Sequence, residues 1–243
     1  MENVINRIAI LVDGDNARAK LMKPILEEVS KYGKVTIRRI YGDWTLPHMN
    51  MWKETLNDLS FNPIQKFSYT TGKNSTDTSL IIDAMDILHD KIVDGFCIVS
   101  SDSDYTGLAK RIREEGIFVM GIGEKKTPNA FVQSCEIFTY CENIMPDIEK
   151  EKPHGRNALS KIKKALLPSV DLDLINKAYE MSLSEGSETH ISHVGSNLRK
   201  INPSFDPRAY GYKNLTQMFE NLSDYDVIKN IIGGLNHPLV IKK

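Results

Sequence analysis

The chain has 243 residues, 41% hydrophobic and 26% charged, which is ordinary for one or two packed domains and excludes a mainly disordered protein. Its net charge of -1 supplies no global basic field, so any nucleic-acid contact must rest on local patches. Three cysteines without CxxC spacing exclude a disulfide framework and a structural zinc site, and no apolar run approaches the roughly 18 residues of a membrane span. A reducing cytoplasm is the expected setting.

In chain order, short apolar runs alternate with segments of helical period. RIAILV (7–12), VTIRRIY (35–41), GFCIVS (95–100) and IFVMGIG (117–123) predict strands, the first and third apolar enough to be buried on both faces. KPILEEVSKYG (23–33), LPHMNMWKETLND (46–58), DTSLIIDAMDILHDK (77–91) and DYTGLAKRIREEG (104–116) predict helices, with Pro24 suited to a first turn and Gly33 and Gly116 to helix stops. This alternation predicts an α/β fold, a mostly parallel sheet flanked by helices, with ligands bound outside the carboxyl ends of the strands.

The character changes near residue 146. PDIEKEKPHGRN has the prolines, glycine and mixed charge of a linker, which sets expected boundaries at 1–146, 147–157 and 158–243. Beyond it, ALSKIKKALL, LDLINKAYEMSL and HVGSNLRKI have helical period, and YDVIKN and PLVIKK form two β-like runs. Helices followed by a terminal hairpin predict a small winged-helix domain. Residues 1–146 carry 17 Lys/Arg against 20 Asp/Glu and residues 147–243 carry 14 against 12, so the second part is the better candidate for phosphate contact.

Chemistry concentrates at two strand ends. ILVDGDN places Asp13 as the first polar residue after a buried run, followed by Gly14 and by Asn16, which can cap or ligate. VSSDSDY places Asp102 and Asp104 at an equivalent edge, and KNSTDTSLIIDAMD places Asp77 near a helix start, with Asp83 six residues on. Taken singly, Asp102 and Asp104 are explained by a turn and a helix N-cap. If the strand order brings these ends together, Asp13, Asp77, Asp102 and Asp104 converge. Adjacent carboxylates raise each other's pKa unless a cation intervenes, and a hard oxygen-seeking ion, Mg²⁺ or Mn²⁺, is the natural occupant. The Asp-x-Asp in DGDN also resembles a phosphotransferase nucleophile motif, but Ala17 stands where that family has Thr or Val.

ILVDGDN, KNSTDTSLIIDAM and VSSDSDYTGLAKRIREEGIFVMGIG together resemble the NYN domain, a branch of the PIN-like nuclease superfamily, over about residues 5–145. The resemblance implies a Rossmann-like sheet and a metal-dependent endoribonuclease. It implies an acidic site of Asp13, Asp77, Asp102 and Asp104, catalytic and metal-holding, supported by Asn16, Ser101 and Asp83, with Lys73 toward the RNA. ISHVGSNLRKINPSFDPRAYGYKNLTQMFENL is similar to the LOTUS, or OST-HTH, domain through Val194, Gly195, Ser196, Leu198, Pro203, Phe205, Tyr210, Gly211 and Leu215. That likeness implies a winged helix binding RNA or a protein partner. Arg199, Lys200, Arg208 and Lys213 around the motif are candidate phosphate contacts. The alternative is a non-catalytic RNA-binding adaptor with a PIN-like fold. Membrane association is not expected.

Overall fold

The computed structural model describes residues 5–67, 75–145, 167–183 and 187–243. The chain forms two compact units, 1–150 and 151–243.

The first unit is built on one parallel sheet. Its strands are β1 (Arg7–Asp13), β2 (Lys34–Gly42), β3 (Asn62–Gln65), β4 (Gly95–Val99), β5 (Phe118–Gly123) and β6 (Ile137–Tyr140), in the spatial order β3-β2-β1-β4-β5-β6. The helices are α1 (Met22–Val29), α2 (Lys53–Asp58), α3 (Ser75–Asp90), α4 (Thr106–Glu114), α5 (Asn129–Ser134) and α6 (Cys141–Ile144). Along β1 alternate residues enter opposite cores: Ile8, Ile10 and Val12 pack with Leu21, Met22 and Ile25, while Ala9 and Leu11 pack with Leu80, Ala84 and Leu108. Every position from Ile8 to Asp13 is buried, which is why the run reads as continuously apolar.

The first unit has two strands, β3 and β6, and two α-helices, α5 and α6, beyond the sequence expectation. β3 contains Pro63, which lacks an N–H, and it is tolerated because β3 is an edge strand paired on one side. The expected helix over 46–58 is a 3₁₀ segment (Pro47–Trp52) running into α2, with Pro47 at its start. α5, α6 and β6 follow β5 in short succession.

The second unit contains α7 (Leu172–Glu180), β7 (Glu188–His190), α8 (Ile191–Ile201), α9 (Leu215–Glu220), β8 (Tyr225–Ile228) and a two-stranded ribbon of β9 (Ile231–Ile232) and β10 (Leu235–Asn236). β11 (Leu239–Lys242) closes it, in a sheet of order β7-β11-β8. Ile175, Val194, Leu198, Phe205, Met218, Phe219 and Val240 form its core. Phe205 is therefore a packing residue of this core. The 3₁₀ turn Pro207–Tyr210 is stopped by Gly211 at φ 86°, a left-handed conformation that favours glycine. This is the winged-helix arrangement expected of the segment. The helix expected over 158–167 and the linker 147–157 lie outside the described residues, apart from Leu167.

Candidate metal centre

The strand order reverses between β1 and β4, whose registers place Val12 opposite Val99. The residues leaving both strands at their carboxyl ends thus meet at a topological switch point.

Asp13, the last residue of β1, is 0% exposed. Its carboxylate accepts from Asn16 Nδ2 and Ser100 Oγ, both at 2.8 Å to Oδ2, and from the Asn16 backbone N–H at 3.3 Å to Oδ1. The turn that brings Asn16 back needs Gly14: its N–H donates to Tyr41 O at 2.8 Å, and a Cβ there would lie 2.7 Å from that oxygen. Burial raises the Asp13 pKa above the usual carboxylate value; the Asn16 and Ser100 hydrogen bonds oppose the rise, and the charge of Asp77 adds to it.

Asp77 lies in the first turn of α3 and accepts a 2.6 Å hydrogen bond from Tyr105 Oη. Asp102 follows β4; its N–H donates to Ser100 Oγ at 3.1 Å and its Oδ1 accepts from the Asp104 N–H at 2.9 Å, capping the 3₁₀ turn Ser103–Tyr105. One carboxylate oxygen from each of Asp77, Asp102 and Asp104 lies within 4.8 Å of the others. Burial raises the Asp77 pKa; the Tyr105 hydrogen bond lowers it, and the charges of Asp102, Asp104 and Asp15 raise it again. Asp102 is therefore both a turn cap and a member of the carboxylate group, so the two readings of SDSD are compatible. The donor set, clustered hard oxygens whose mutual repulsion is only partly offset by hydrogen bonds, fits a divalent cation. Asp13 is outside the three-membered group but close enough to act electrostatically on Asp77 and Tyr105.

The supporting residues fall differently. Asn16 braces Asp13, but the serine on Asp13 is Ser100, whereas Ser101 Oγ accepts from the Glu124 N–H at 2.9 Å and shapes the neighbouring loop. Counting the parallel register one step beyond Val12 and Val99 points to Ser100. Asp83 is held by Arg39 and Tyr41 on β2, so its carboxylate braces α3 against the sheet. Tyr105 was the other unassigned contributor, legible only as the aromatic residue completing SDSDY. Asp15 flanks the centre, with His48 Nε2 at 3.8 Å from its Oδ1. Lys73 lies outside the described residues.

In the second unit, Lys200 Nζ donates to Asn197 Oδ1 at 3.3 Å. Arg208 is clamped on Asp206 through Nε at 3.0 Å and Nη2 at 2.7 Å. That pair makes Arg208 a brace for its own turn. Lys213 is exposed, its N–H donating to Gln217 Oε1 at 2.6 Å, and Arg199 is exposed in the last turn of α8.

A parallel sheet flanked by helices with carboxylates at its switch point fits a PIN-like fold. Residues 7–145 match the NYN domain model, more than half of the chain, and the protein belongs to the NYN domain family; residues 157–237 match the OST-HTH/LOTUS domain. An uncharacterized protein of Methanocaldococcus jannaschii is 24% identical over 164 residues, a match that spans 65% of each chain. A protein of unknown function from Vibrio parahaemolyticus superposes with a TM-score of 0.48 at 20% identity, covering 58% of this chain and 95% of that one. Among the described residues no helix is long and apolar enough to cross a membrane.

Proposed function

We propose that this protein is a divalent-metal-dependent endoribonuclease whose Asp13, Asp77, Asp102 and Asp104 hold Mg²⁺ or Mn²⁺. The observation that carries the reading is the meeting of Asp77, Asp102 and Asp104 oxygens within 4.8 Å, beside a fully buried Asp13. A cation bound there supplies Lewis-acid polarisation of a phosphoryl oxygen and a water of lowered pKa. The chain's own residues orient and brace. Asn16 and Ser100 fix the Asp13 carboxylate, Tyr105 fixes Asp77, and the Asp104 N–H fixes Asp102. No serine, cysteine or histidine nucleophile is needed.

In this reading residues 1–146 cut, 147–157 link, and 158–243 recruit RNA through Arg199, Lys200 and Lys213, with Lys73 as a further phosphate contact. A protein partner for the second domain is the competing assignment. A cytoplasmic setting suits three buried free cysteines. The test is cleavage of labelled single-stranded RNA, duplex RNA and DNA by the purified full chain, with Mn²⁺ and with EDTA. Cleavage of RNA in Mn²⁺ that EDTA abolishes is expected; intact RNA under every metal condition would leave an RNA-binding adaptor.

A further inference from the structure

A bridge of charged side chains crosses the carboxyl edge of the sheet beside the metal centre, and the bracing of the carboxylates does not use it. Arg18 follows Asn16 by two residues and reaches from the end of β1 across the end of β4 to Glu124, just beyond β5, with Nη2 at 2.5 Å from Glu124 Oε1. The span is two strand spacings, about 10 Å. Glu124 Oε2 is shared with Lys126 Nζ at 2.9 Å. The two ends of the bridge are held unequally. Glu124 is fixed: its N–H donates to Ser101 Oγ at 2.9 Å, and its carbonyl accepts from the Thr127 N–H at 2.9 Å and from Thr127 Oγ1 at 2.6 Å. The Glu124 side chain is 18% exposed, whereas that of Arg18 is 49% exposed, on an extended residue ahead of the 3₁₀ turn Ala19–Leu21. Asn16, Arg18, Ser100, Ser101 and Glu124 line one crevice, and Asn16 and Ser100 are the residues that donate to Asp13. The bridge is thus continuous with the metal centre on both sides, through Asn16 to Asp13 and through Ser101 to Asp102.

We propose that Arg18 is a phosphate-binding residue, which leaves Glu124 for the RNA phosphate next to the scissile one while Lys126 keeps the Glu124 charge compensated. The proposal deepens the ribonuclease reading and rests on it for the place of that phosphate. An ion pair of exposed side chains contributes little net stability, so exchanging one oxyanion for another on Arg18 is nearly balanced. A phosphate tips the balance, because its neutralisation releases condensed counterions and its oxygens match the two parallel N–H groups of a guanidinium. A half-buried carboxylate stripped of its cation would oppose the exchange. Lys126 on the second oxygen removes that opposition. Around the bridge Arg18, Lys125 and Lys126 stand against Glu124 and Glu142, whose carboxylate accepts from the Lys125 N–H at 3.0 Å, so the group keeps a positive excess. A phosphate contact carries no base information, and the contact is therefore indifferent to sequence.

The experiment measures binding of short labelled single-stranded oligoadenylate and oligouridylate by fluorescence anisotropy at several salt concentrations. The full chain carries Asp102→Asn, which keeps the strand intact, and Arg199→Ala/Lys200→Ala/Lys213→Ala, so that binding reports the first unit. Arg18→Ala should weaken binding about tenfold, the scale of a hydrogen bond to a charged group. It should also flatten the slope of log Kd against log salt by about 0.7, one single-strand phosphate contact. Glu124→Gln breaks the same bridge with a side chain of the same shape, yet it should act in the opposite direction and tighten binding a few-fold, because it frees Arg18 from a competing oxyanion. Both shifts should be the same for the two oligonucleotides, and in the active chain KM on short RNA should move as Kd does. Near-UV circular dichroism checks that the variants fold. A bridge that only braces its two loops would make Arg18→Ala and Glu124→Gln weaken binding alike. That result, an unmoved Kd in Arg18→Ala, or a shift confined to one oligonucleotide would overturn the phosphate contact even if RNA is cut in Mn²⁺. Opposite shifts in a chain that cuts nothing would keep the contact and sink the ribonuclease reading.

Discussion

Tyr105 donates its phenolic hydrogen to Asp77 Oδ1 at 2.6 Å, tying the turn that opens α4 to the first turn of α3. The phenol is fully buried, and its pKa is raised by burial and by the charges of Asp13 and Asp77, so it remains a donor throughout the working range. Tyr105→Phe should therefore release Asp77 without opening a cavity. We expect destabilisation of about 1–3 kcal/mol, the scale of a hydrogen bond to a charged group, and Mn²⁺ affinity weakened at least about tenfold. Titrating Mn²⁺ against melting temperature in both proteins measures each effect.

Asp102 contributes both a carboxylate oxygen and a cap. Asp102→Asn keeps an oxygen for the Asp104 N–H while removing a charge from the cluster. Folding should survive and RNA cleavage should fall by about two orders of magnitude or more. Wild-type turnover in this variant would contradict the metal mechanism.

The pH response of the metal-free protein follows from Asp13 and Asp77. Both have pKa values raised in the folded chain above about 3.8, so the folded state binds more protons than the unfolded one between that value and the raised ones. Their contribution favours folding below the unfolded pKa and is lost as pH rises through the folded values. In EDTA, Asp13→Asn should thus lose less stability than wild type as pH is raised from 4 to 7. At neutral pH it should also lose much of the melting shift that Mn²⁺ confers on wild type by mass action. Melting curves at several pH values, with and without Mn²⁺, decide this.

Asp83 separates bracing from metal holding. With its carboxylate on Arg39 and Tyr41, Asp83→Asn should destabilise the fold by about 1–3 kcal/mol yet leave the Mn²⁺-induced shift nearly intact. A lost metal response would return Asp83 to the centre.

Truncation after Asp147 should leave a metal-dependent nuclease with nearly unchanged kcat on short RNA, a raised KM on longer RNA and a flatter salt dependence, because counterion release follows the removed cations. Arg199→Ala/Lys200→Ala/Lys213→Ala should copy the KM effect, with Arg208→Ala instead destabilising its turn through loss of the Asp206 pair. If the second domain binds no RNA at low salt and KM is unmoved by truncation, it is a protein-docking module.

Local chemistry determined much of this in advance. The apolar runs of β1 and β4 announce strands buried on both faces, and the polar residues that end each run fall at the carboxyl edge of the sheet, so Asp13 and the SDSD aspartates were legible as site candidates. The alternation of strand and helix likewise implied a parallel sheet, because parallel neighbours need crossovers. Tertiary structure alone decided the partnerships. Ser100 rather than Ser101 reaches Asp13 because the β1–β4 register, a relation between residues 87 positions apart, sets which hydroxyl faces the carboxylate. Asp83 is drawn to Arg39 and Tyr41, and Arg208 to Asp206, because a partly buried charge is held where an opposite charge or a donor compensates its lost hydration. Nothing in the spacing of the chain states which compensation is nearest once the helices have packed. β3 with its Pro63 escaped for the same reason: a strand can form around a residue without an N–H only at an edge, and the edge exists only after the sheet has been ordered.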